Sequence, residues 1–149
     1  MPLQPPSHGV PDRGAALIEA LANDTPTDAA YRALWCAART WLATGGAVRL
    51  ERCARLPSTP GAVRASARNL WIRQAAAQVA PGLPAHTQAL QLADALVAFV
   101  ECGPWQCWRD ARTPPDAASE LNKALFNVVK YSDGKILSAR HISRVIANK

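Results

Sequence analysis

Arg140 and Arg144 stand four residues apart near the end of this 149-residue chain, with Ser143 between them. On a helix that spacing stacks two guanidinium groups on one face. A guanidinium meets a phosphate, or the edge of a base, through paired N–H donors and is always charged. The Ser143 hydroxyl can donate or accept beside them. Such a trio recognises an anionic polymer; it does not make or break bonds. Lys123, Lys130, Lys135 and Lys149 crowd the same stretch and would act on the phosphate backbone. Arg64 and Arg68, one helical turn apart, form a second candidate phosphate patch.

Signatures of catalysis are missing. No segment reads GxxxxGK[ST], GxGxxG after a strand, HExxH or GxSxG. Acids such as Asp94 and Glu101 have no convergent partner in the sequence. Cys36, Cys53, Cys102 and Cys107 include no CxxC pair, and His8, His86 and His141 lie far apart. A structural zinc site takes its ligands in close-spaced pairs. The reading is a non-enzymatic protein with no catalytic residue, no cofactor and no metal. The N-terminus has no basic region followed by an apolar one, so the thiols are expected to be reduced and buried in a cytoplasmic protein.

Charge is distributed unevenly. The net charge is +6, but residues 46–80 hold six arginines against Glu51 alone, and residues 121–149 hold six cations against Asp133 alone. Residues 81–120 reverse the balance, with Arg109 and Arg112 against five acids. Brought to one side, the two basic stretches would make a footprint for nucleic acid. DNA is the expected partner rather than RNA, and no membrane is expected, because no apolar run reaches about 18 residues. The five tryptophans divide. Trp35 and Trp71 fall on expected core faces. Trp105 and Trp108, beside Arg109, form a candidate protein interface, with a satellite core cluster as the competing reading.

The elements that must position these residues are helical. Thirty alanines favour helix, and Val, Ile and aromatics are sparse. A proline-rich flexible arm is expected over 1–13, followed by one helical domain over 14–149. Helices are expected over about 14–23; from Pro26, capped by Thr25, to the Gly45-Gly46 stop; weakly within 47–56; and from Pro60, capped by Thr59, to about 80. Others follow over 85–102, 105–112, 115–131 and 139–147. Tyr31, Leu34, Trp35, Ala38 and Leu42 mark the expected core face of the second. Val63, Ala67, Leu70, Trp71 and Gln74 mark that of the fourth. Leu90, Ala93, Leu96, Val97 and Val100 mark the next, widened by Leu92 and Phe99.

In the last helix, capped by Ser138, Ile142, Val145 and Ile146 should be buried opposite Arg140 and Arg144. Residues 115–149 are similar in pattern to a helix-turn-helix. The link from Tyr131 to Leu137 is longer than that motif's usual turn, and DGKILS would equally suit a winged-helix unit with a short strand there. The fold class is thus all-α, a compact bundle of about six or seven helices with a C-terminal helix-turn-helix-like or winged-helix-like pair. The function expected is DNA binding through the basic C-terminal helix. The competing class is a helical protein-interaction adaptor, or a subunit of a larger complex, a nucleoprotein complex included.

Overall fold

A computed structural model describes residues 13–148, and among them the chain forms eight helices and no strand. The proline-rich segment 1–12 and Lys149 lie outside the described residues. Two of the helices are single turns, which accounts for the excess over the expected six or seven. By contacts the chain divides into two compact units, 1–63 and 64–149. No described helix is long and apolar enough to cross a membrane.

The first unit holds α1 (Arg13–Ala22), α2 (Asp28–Ala43) and α3 (Leu50–Cys53). Helix α2 starts two residues later than the proline implies. The Thr27 hydroxyl accepts from the Ala30 N–H at 3.1 Å and caps the helix, whereas Thr25 turns its hydroxyl to the Asn23 carbonyl. At the other end Gly45 and Gly46 take left-handed φ of 61° and 78°, which ends the helix as predicted. The core of this unit is built from small residues. Ala30, Ala33 and Ala37 of α2 pack with Leu17 and Ala20 of α1 and with Ala54 after α3. Gly14 makes the same close approach: a Cβ there would lie 2.3 Å from the Arg55 carbonyl oxygen.

The expected core face of α2 is therefore corrected. Tyr31, Trp35 and Leu42 are 63%, 69% and 73% exposed, and Leu34 and Trp41 are exposed as well. The buried stripe is the alanines, about a third of a turn round the helix. Alanine faces let helices approach closely, and here that contact displaces the larger side chains to the outside.

The second unit carries α4 (Pro60–Val79), which starts in the first, then α5 (Ala85–Glu101), α6 (Trp105–Trp108), α7 (Glu120–Tyr131) and α8 (Ala139–Ala147). Helix α5 is its centre, with α6, α7 and α8 all packed on it. The core joins Ile72, Ala75 and Ala76 of α4 to Leu92, Leu96 and Phe99 of α5, Phe126, Val128 and Val129 of α7, and Ile142 of α8. Here too the faces are rotated from expectation. Leu90 and Val97 of α5 are exposed, and Leu92 and Phe99, the widening positions, are buried. In α4, Ile72, Ala75 and Ala76 replace Val63 and Gln74, because its apolar residues ring the helix instead of striping it.

Two boundaries follow from capping. The Thr59 hydroxyl accepts from the Ala62 N–H at 3.2 Å and starts α4 at Pro60 as predicted. Helix α7 begins at Glu120 and not at 115, since Ser119 accepts from the Asn122 N–H at 3.2 Å and sets an acid in the first turn.

Candidate nucleic-acid interface

Helix α8 begins where Ser138 accepts the His141 N–H at 3.3 Å. Ile142, Val145 and Ile146 are buried, and α8 packs chiefly on α5. Arg140 and Arg144 are exposed on the opposite side, with Ser143 half-buried between the two faces. Among the described residues neither guanidinium group forms an ion pair or a hydrogen bond. The link before α8 is a turn through Asp133 and Gly134, both left-handed, and forms no strand. Lys135 follows the turn and is exposed and unpaired among the described residues.

Helix α4 supplies three arginines that reach towards α8. Arg64 pairs with Asp133 in the turn. Arg73 donates from Nη2 to the Asn148 carbonyl at 3.0 Å, at the far end of α8. Between them Arg68 lies close enough to His141 to act on its charge. The Arg68 Nε and the His141 Nε2 are both buried and have no hydrogen-bond partner among the described residues. Burial first, then Arg68 and Arg144, hold the His141 pKa below its ordinary value of 6.5. Two guanidinium groups from two helices thus converge on an imidazole, and Asp133, the one acid on this stretch of chain, is engaged with Arg64.

The remaining basic residues divide sharply. Lys123 pairs with Glu120 at 2.9 Å within its own helix. Lys130 turns inward: Nζ donates to the carbonyls of Arg109 at 2.9 Å and Ala111 at 2.8 Å, and sits 5.8 Å from the Phe126 ring centroid. Arg49 pairs with Glu51 at 2.8 Å, and it belongs with Arg52 and Arg55 to the first unit.

Trp105 and Trp108 do not form an exposed platform. Trp105 is 8% exposed and Trp108 packs against the same core. Their rings meet Phe99, with centroids 6.5 and 6.1 Å apart, and Trp105 also meets Phe126 at 5.6 Å. The core reading of this pair is the one found, with Arg109 left exposed beside it. The thiols differ from expectation as well: Cys36 and Cys53 are half-buried, while Cys102 and Cys107 are exposed, and all four are unpaired. No cluster of three or more His, Cys, Asp or Glu that could hold a metal forms among the described residues.

Sequence reasoning missed two features. His141 carries no signal beyond its place beside Arg140, and its approach to Arg68 depends on tertiary packing. The exposed stripe of α2 was visible as a stripe, but its direction was not. No family model, curated protein or solved structure matches this chain.

Proposed function

We propose that this is a non-enzymatic nucleic-acid-binding protein, acting on DNA in the cytoplasm, whose contact surface is the outer face of α8 with Arg68 of α4. The observation that carries the reading is that Arg68 and Arg144, from two helices, both lie close enough to His141 to act on its charge, and neither is ion-paired among the described residues. Uncompensated guanidinium groups held by packed helices favour a polyanion. Arg140, Ser143 and Arg144 are the residues for base edges or phosphates, with Arg68 and Lys135 on the backbone. Lys123, Lys130 and Arg64 have internal partners and contribute mainly to the local field. In this reading α7, the turn and α8 work as a helix-turn-helix-like pair, with α8 as the reading helix.

The test is anisotropy of a labelled duplex titrated at several salt concentrations. Affinity should fall steeply with salt, and the Arg140→Ala/Arg144→Ala variant should lower the log–log slope by about 2, at roughly 0.9 per phosphate contact. Arg144→Ala alone should weaken binding by ~1–3 kcal/mol and relax sequence preference if it reads a base, and leave preference unchanged if it meets phosphate. The double variant binding like the wild type would overturn the assignment, and stronger binding to single-stranded RNA than to duplex would redirect it.

A further inference from the structure

The outer face of α2 is the largest feature that nucleic-acid binding leaves unused. Tyr31, Leu34, Trp35, Ala38, Trp41 and Leu42 span about 120° of the helix surface at 100° per residue. Aromatic side chains carry about 150–250 Å² each. With the exposures given above, the stripe offers on the order of 600–800 Å² per chain on that scale. Monomeric proteins rarely leave a contiguous apolar patch of this extent in water. Two such stripes face to face would cover about 1,200–1,600 Å², the size of a stable, specific interface.

The charges beside the stripe say what covers it. Asp28, Arg32 and Arg39 lie along one edge, within about 40° of one another on the helix. In an antiparallel pair related by a two-fold axis, the same edge of each helix faces the other, so a contact from residue i to residue j is repeated from j to i. Asp28 and Arg39 are eleven residues apart, about 16 Å along the helix at 1.5 Å per residue. With the axis midway between them, close to Leu34, each Asp28 meets Arg39 of the second copy. The same register brings Arg32 over Trp35 of the second copy, a cation against an indole face. Antiparallel packing also sets the N-terminus of one helix beside the C-terminus of the other. Among the described residues Asp28 and Arg39 form no ion pair.

We propose that the chain forms an antiparallel two-fold homodimer through the outer face of α2. This is independent of the nucleic-acid reading, which uses residues of the second unit only. The experiment is sedimentation equilibrium of the full chain across a dilution series. The expected mass is twice 16.0 kDa, dissociating on dilution. Trp35→Glu should raise the dissociation constant by more than about 30-fold, as loss of a central tryptophan anchor does, with an unchanged thermal melt by circular dichroism at a dilution where the wild type is monomeric. Arg39→Asp should weaken the dimer, and Asp28→Arg/Arg39→Asp should recover most of the loss by restoring opposite charges across the axis. A wild-type mass of 16.0 kDa at every concentration overturns the proposal and leaves the stripe to a different protein. A dimer indifferent to Trp35→Glu overturns it by placing the contact elsewhere, and a charge-reversed double variant no better than Arg39→Asp refutes the antiparallel register.

Discussion

Replacing Lys130 by methionine asks whether this lysine holds the fold or holds a ligand. Its ammonium donates to two carbonyls, of Arg109 and Ala111, and lies over the Phe126 ring. A hydrogen bond from a charged donor contributes about 1.5–3 kcal/mol when protected from water. Only the Ala111 contact is part-buried, so it carries most of the effect, and the exposed Arg109 contact adds little. The cation over the ring adds about 0.5–1 kcal/mol. Methionine keeps the apolar stem against Phe126, so the loss is polar, and ~2–3 kcal/mol is the expected destabilisation. At about 2–4 °C per kcal/mol for a chain of this size, the melting temperature should drop by roughly 5–10 °C. The assay is urea unfolding followed by tryptophan fluorescence, since Trp105 lies against Phe126. A change below about 0.5 kcal/mol, the scale of a neutral surface substitution, would refute the structural role. Lost duplex affinity at unchanged stability would place Lys130 on phosphate instead.

His141 gives a pH dependence with a definite sign. Its pKa is depressed in the folded chain, so the unfolded chain takes up the proton first as the pH falls. The contribution of neutral His141 to stability is complete above pH ~6.5 and is lost as the pH falls below it towards the folded value. His141→Gln should flatten urea midpoints over about pH 8 to 5, and an unaltered slope would refute the linkage. A phosphodiester bound beside Arg68 and Arg144 should raise the His141 pKa, read from its ring-proton chemical shift; no movement in saturating duplex would place the ligand elsewhere. Two tryptophans should differ in what they contribute: at a dilution where the chain is monomeric, Trp105→Ala is expected to destabilise by about 3–5 kcal/mol and Trp35→Ala by less than about 0.5 kcal/mol, measured by chemical denaturation.

Helix α8 was legible almost to the residue. Ser138 caps it, and Ile142, Val145 and Ile146 are its only large apolar side chains, so the buried face had one solution. The exposure of Arg140 and Arg144 followed from the same geometry. Helix α2 was not legible, because it offers two apolar faces, one of alanines and one of aromatics and leucines. Local pattern favours the larger, yet the packing of α2 on α1 selects the smaller. Trp105 and Trp35 exchange roles for the same reason: burial is decided by what approaches a residue, here Phe99 and Phe126 for Trp105. Within the candidate site, the pairings of α4 with the α8 region join residues 69 and 75 positions apart, a distance at which helical periodicity carries no information.

Those pairings have a consequence for how the outer face of α8 is aimed. The hydrophobic stripe of α8 could rock on α5, because aliphatic side chains tolerate small rotations about the helix axis. Arg64 engages the turn that leads into α8 and Arg73 engages the carbonyl of Asn148, the residue that follows it, so the helix is tethered at both ends by arms from one neighbour. The azimuth of residues 140, 143 and 144 is thereby fixed from positions 64 and 73. Substitutions at these two α4 positions would re-aim residues 140, 143 and 144 without touching them, so under the proposed function the selectivity of that face would be written partly on positions 64 and 73.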